Sequence, residues 1–168
     1  MRRPGEAERS AADFTALYEA RFVDLAGQLY AFTGDNSETY DLVQEAFIRA
    51  WQRWATVGKY EDPVAWVRRV AWNLAMSRYR RLQRSRSMLR DVSQVAPGME
   101  PDRVALVAAL RTLPEQHRRA VVLHYLADLS VTEIAVETGA AVGTVKSWLH
   151  RGRVQLAAAL QIHEGVDR

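Results

Sequence analysis

The sequence predicts an all-α protein made of two small helical domains joined by a flexible linker, and three observations carry that prediction. Apolar side chains recur at helical spacing in both halves of the chain, as in Phe14, Leu17, Tyr18, Phe22, Leu25 and Leu29. No segment keeps the period-two alternation of a half-buried strand. From about Gln83 to Pro101 the periodicity fades into Ser, Arg, Gln, Gly and Pro, which is linker composition. The expected division is a first domain over 10–82, a linker over 83–101 and a second domain over 102–162.

The first helix is the one carried by Phe14 to Leu29. Thr33-Gly34-Asp35-Asn36-Ser37 then supplies turn chemistry, with Asn36 or Ser37 placed to cap the next helix. Val43, Ala46, Phe47, Ala50, Trp51 and Trp54 form the apolar face of that second helix, with both tryptophans expected in the core. A third helix starts near Pro63, where proline is tolerated in the first turn, and runs through Val67, Val70, Ala71 and Leu74 towards Arg81. After the linker come a helix from Asp102 to Leu113, another beginning at Pro114, and two more separated by Gly139.

Composition narrows the chemistry. With 48% apolar residues in 168, the chain folds around at least one core. No run approaches the ~18 to 20 apolar residues of a membrane span. Met1 to Glu6 lacks the apolar stretch of a signal peptide, so a cytoplasmic protein without membrane contact is expected. There is no cysteine, hence no disulfide, thiolate metal site or cysteine nucleophile. His117, His124, His150 and His163 lack the spacing of a helical zinc site, so no metal is expected. No glycine-rich phosphate loop, GxSxG elbow or paired-carboxylate motif appears, and neither a cofactor, a small-molecule substrate nor catalysis is expected. Charge is unevenly spread: residues 1–66 sum to −4, residues 67–90 hold eight arginines and no acid, and the rest sums to −1. Such asymmetry suits surfaces made for different partners.

The C-terminal half holds a helix-turn-helix pattern. Ser130-Val131-Thr132-Glu133 reads as a capping box, and Gly139 sits where a helix ends and the chain reverses. Val142-Gly143-Thr144-Val145 opens a second helix, with Val145, Leu149 and Leu156 on its inner side and Lys146, Ser147, His150 and Arg151 on its outer face. Readers of the major groove present their side chains in this way. Gly143 and Thr144 place backbone amides near a phosphate oxygen, and Arg118 and Arg119 on an earlier helix are candidates to hold the DNA backbone.

Leu113 to Ala120, Leu129 to Ala135 and Gly143 to Arg153 together resemble region 4 of extracytoplasmic-function sigma factors, in particular an actinobacterial SigE-like type. Asp41 to Trp51 looks like region 2.2 of the same family, and Pro63 to Ala75 like regions 2.3 and 2.4. The resemblance implies a protein that binds core RNA polymerase and directs initiation by reading the −10 and −35 promoter elements and aiding strand opening. It implies that Asp41, Gln44, Glu45 and Ile48 meet the clamp helices of the largest polymerase subunit, with the flap of the second-largest subunit as a further contact. For the −10 element it points to Lys59 and Tyr60 in the loop 57–62, and to Trp66, Arg69, Asn73, Ser77 and Arg80 along one stripe. Whether Trp66 packs inside or faces DNA is open. For the −35 element it points to Thr144, Lys146, Ser147, His150 and Arg151. It also makes an anti-sigma protein a candidate partner, and the short stretch 161–168 after region 4 suggests no built-in sensor. Trp148 stands where the family commonly has arginine, and Trp72 where a polar or basic residue is frequent; both bear on promoter sequence. A conventional helix-turn-helix regulator would explain only the C-terminal half. A recombinase would require a nucleophilic serine or metal-binding acids that the sequence does not show.

Overall fold

The computed structural model describes residues 4–85 and 101–166. Over them the chain forms α1 (Pro4–Thr33), α2 (Asn36–Gln52), α3 (Trp54–Val57), α4 (Pro63–Arg84), α5 (Pro101–Thr112), α6 (Glu115–Tyr125), α7 (Val131–Thr138) and α8 (Val142–Val166). There is no strand among the described residues. α4 runs on through Arg84 to a C-cap at Ser85, so the first residues expected in the linker are helical. The remainder of that linker, 86–100, lies outside the described residues. The described residues fall into two compact units: α1 as far as Leu29 with α2 to α4, and the segment Tyr30–Asn36 with α5 to α8.

In the first unit, α2 buries Leu42, Val43, Ala46, Phe47 and Ala50, and α4 buries Val67, Ala71, Trp72, Ala75 and Met76. Residues three and four apart share a helix face, so each set forms one apolar stripe. An aromatic cluster completes the core: Phe14 stands edge-on to Phe47 at 6.2 Å and to Trp54 at 5.2 Å, and Tyr18 edge-on to Phe47 at 5.0 Å. Such pairs add about 0.5 to 1.5 kcal/mol each beyond their buried area. Arg78 of α4 is paired with Glu38 of α2 at 2.9 Å.

Three expectations for this half are corrected. The second helix does not reach Trp54: it ends at Gln52, and Trp54–Val57 forms a separate turn. Gly58 closes that turn, where an added Cβ would lie 2.9 Å from the Trp54 ring and carbonyl oxygen, so glycine lets the backbone fold against the indole. Trp51 is not a core residue; it is 50% exposed, with one side of its ring against Phe14 at 4.9 Å. Asn36 and Ser37 lie inside the first turn of α2 instead of capping it. The turn before them is made by Gly34 at φ +70° and by Asp35, whose N–H donates to Thr33 Oγ1 at 3.2 Å.

The second unit is built around α8, which packs on α5, α6 and α7. Leu110, Leu113, Val122, Leu123, Ile134 and Val145 are all buried in its core. The α6–α7 turn is held by His124 Nδ1, 2.8 Å from the carbonyl oxygen of Leu129, while the N–H of Leu129 donates to Leu123 at 3.1 Å.

Candidate nucleic-acid interface

The geometry of α7 and α8 begins with their caps. The N–H of Glu133 donates to Ser130 Oγ at 3.2 Å, and the N–H of Ser130 donates to Glu133 Oε2 at 2.8 Å, which satisfies two orphan amides reciprocally. α7 ends at Gly139 in the left-handed region, φ +73°, with its N–H on the Ala135 carbonyl at 2.9 Å. Nothing lies within 4 Å of a Cβ added there, so the glycine is required by backbone conformation and not by space. Gly152 is the reverse case. A Cβ on it would fall 2.7 Å from Val121 Cγ2 and 3.3 Å from the His117 carbonyl oxygen, so α8 crosses α6 at close range. His117 Nδ1 and Gln155 Oε1, 2.9 Å apart, join the same two helices.

That crossing fixes which face of α8 looks outward. Val145 and Leu149 are buried, whereas Thr144, Lys146, His150 and Arg151 are exposed and Ser147 is half-buried. Lys146, His150 and Arg151 have no ion pair or hydrogen-bond partner among the described residues. Arg153, exposed one turn further on, extends this cationic face and was not among the expected site residues, although the basic run Lys146 to Arg153 signals it.

The two arginines of α6 are placed differently from the expectation. Arg118 is only 5% exposed, and its guanidinium donates to the carbonyl oxygens of Phe32 at 2.9 Å and of Arg111 and Leu113 at 3.1 Å each. Its fork geometry matches three backbone acceptors, so it holds the α5–α6 corner instead of a phosphate. Arg119 is half-buried, with Nε and Nη2 shielded from solvent. A helical wheel alone does not separate these two from an outward basic pair.

In the first unit, Asp62 Oδ1 accepts from the N–H of Ala65 at 3.0 Å and Pro63 occupies the first turn, which starts α4 immediately after the loop 57–62. Lys59 and Tyr60 of that loop are exposed, Tyr60 to 47%. Arg69, Asn73, Ser77 and Arg80 form one exposed stripe on α4, with Trp66 half-buried at its head. Trp72 is fully buried, so its effect is on packing and not on a surface that meets DNA.

On α2, Asp41 and Gln44 are exposed, Ile48 is 46% exposed, and Glu45 is half-buried and paired with Arg49 at 2.7 Å. Beside them a groove of about 340 Å³ runs between α1 and α2, lined by Phe14, Thr15, Tyr18, Gln44, Ile48 and Trp51. The contribution of α1 to this surface has no separate signal in the sequence, because Phe14 and Tyr18 read equally well as core. Among the described residues no group of three or more His, Asp or Glu is placed to hold a metal ion, and no helix is long and apolar enough to cross a membrane.

Family comparison agrees with both units. The Sigma-70 region 2 family matches residues 17–85, and the family Sigma-70, region 4 matches residues 103–156. The ECF RNA polymerase sigma factor SigL of Mycobacterium tuberculosis is 32% identical over 167 residues, which cover 94% of each chain. The chain belongs to the extracytoplasmic-function sigma factor family. SigE of Mycolicibacterium smegmatis, of the same family, is 35% identical over 147 residues, covering 80% of this chain and 56% of that one. The fold matches a solved structure, the sigma factor RpoE in complex with the anti-sigma factor NepR from Bartonella quintana, with a TM-score of 0.77 and 23% identity over 89% of this chain and 98% of that chain. This sigma factor thus binds core RNA polymerase and promoter DNA and directs transcription initiation.

Proposed function

We propose that the outer face of α8 reads the −35 element, with Lys146, Ser147, His150 and Arg151 in the major groove and Thr144 at the backbone. The observation that carries this is the exposed Lys146, His150 and Arg151, without partners among the described residues, on the helix that follows a capped, glycine-terminated turn. The loop around Lys59 and Tyr60 together with Trp66, Arg69, Asn73, Ser77 and Arg80 takes the −10 element. A captured base leaves its stack at a cost of a few kcal/mol. Stacking on Tyr60 or Trp66 and arginine contacts to the opened strand offset that cost without nucleotide hydrolysis.

Asp41, Gln44, Glu45 and Ile48 form the surface for the clamp helices of the largest polymerase subunit, an acidic patch with one exposed apolar side chain. The second unit meets the flap of the second-largest subunit. The family matches to residues 17–85 and 103–156 support region 2 in the first unit and region 4 in the second, with a linker between them. In this reading the chain works in the cytoplasm and supplies binding energy and sequence choice, while bond formation belongs to the polymerase. An anti-sigma protein is a further partner, a reading supported by the similar fold of RpoE in its complex with NepR.

Run-off transcription with purified core polymerase over a genomic promoter library tests the whole reading. Specific transcripts that depend on this chain are expected. If no promoter responds while the chain still shifts DNA without polymerase, a conventional helix-turn-helix regulator replaces it.

A further inference from the structure

Trp148 is used by none of the contacts above. It lies on α8 beside Ser147, one helical turn from both Thr144 and Arg151. Trp148 is half-buried, and among the described residues its indole N–H has no acceptor and no aromatic ring stacks on it. Tryptophan is a large apolar body with one donor, and that donor ordinarily finds an acceptor once the ring is packed. Here the ring is already seated, so fixing the donor costs little side-chain entropy. Its neighbours one turn away are residues of the DNA-facing surface.

We propose that Trp148 is a neutral backbone anchor of the promoter interface, donating its indole N–H to a phosphodiester oxygen beside the base pairs met by Ser147 and Arg151. The inference rests on the assignment of the outer face of α8 to the −35 element. Its physical signature is in the salt dependence. A lysine or arginine that neutralises a phosphate releases counterions and steepens the fall of log K with log salt by about 0.9 per contact. An indole donor contributes affinity with no such slope, so part of this interface holds at salt concentrations that weaken ionic contacts.

The test uses the full chain assembled with core polymerase and, as probe, the tightest-binding duplex selected from a randomised DNA pool. Trp148→Phe keeps a ring and removes the donor. It is expected to lower affinity by about tenfold at every salt concentration, with unchanged slope and unchanged melting temperature, in line with a hydrogen bond to a charged acceptor. Trp148→Arg is expected to restore affinity at low salt and to steepen the slope by about 0.9. Wild-type affinity in Trp148→Phe, or an unchanged slope in Trp148→Arg, overturns the anchor. Lys146→Ala separates the two assignments: if it alone lowers affinity and slope, only the anchor fails. If neither Lys146→Ala nor the Trp148 variants change binding, the α8 assignment fails with it.

Discussion

Arg118 shows how much a single side chain depends on its surroundings. On a wheel it belongs to a basic pair, yet the fold turns it inward onto three backbone carbonyls. Arg118→Ala should therefore cost about 2 to 4 kcal/mol of stability, because it leaves buried acceptors without a donor. Lysine should not rescue it, since an ammonium lacks the planar fork. Urea denaturation of the full chain measures this, and normal stability combined with weakened DNA binding would return Arg118 to the interface. Gly139 is the opposite kind of residue, dictated by its own backbone. With φ at +73° and open space around it, Gly139→Ala should cost about 1 to 2 kcal/mol. Gly139→Asn should cost less, because asparagine tolerates that conformation. Equal melting temperatures for the two variants would contradict that account.

At the scale of elements, the crossing of α8 over α6 decides which residues can face DNA. A Cβ at position 152 would meet Val121 and the His117 backbone, so any side chain there pushes the two helices apart. Gly152→Val should destabilise the chain by about 1 to 3 kcal/mol through overpacking. Gly152→Ala should be milder, because its gain in helix propensity of up to about 1 kcal/mol offsets part of the strain. Both should weaken promoter binding more than stability predicts, since the reading face rotates with the helix; unchanged affinity in Gly152→Val would show that the crossing tolerates repacking. α4 divides its labour by face in the same manner. Val67, Ala71 and Trp72 look inward, and Arg69, Asn73 and Ser77 look outward. The tryptophan at 72 therefore alters the core and leaves the reading stripe to its neighbours.

For the whole molecule, the two units should fail at different steps. Asp41→Ala with Gln44→Ala removes two exposed polar groups of the first unit, so folding should persist while co-purification with core polymerase falls. Undiminished capture of polymerase by this double variant would contradict the clamp-helix assignment. Lys146→Ala or Arg151→Ala should leave polymerase binding intact and weaken −35 recognition by ~1 to 3 kcal/mol, as expected for a base contact. A sigma factor needs both steps, and each is measured on assembled holoenzyme by a different readout.

Local rules made much of this protein legible in its sequence. Helical periodicity set the all-α class, Ser130 with Glu133 and Gly139 set the boundaries of α7, and the outward side of α8 followed from Val145 and Leu149. These features depend on neighbours within one or two helical turns, where spacing and backbone conformation are enough. The tertiary structure decided what spacing leaves open. Trp51 and Trp72 have similar apolar patterns around them, but one lies on a groove rim and the other in the core. Likewise Arg118 and Arg151 carry the same charge, and only the first finds backbone carbonyls from distant segments around it. Burial is set by which helices pack together, and that is a property of the folded chain.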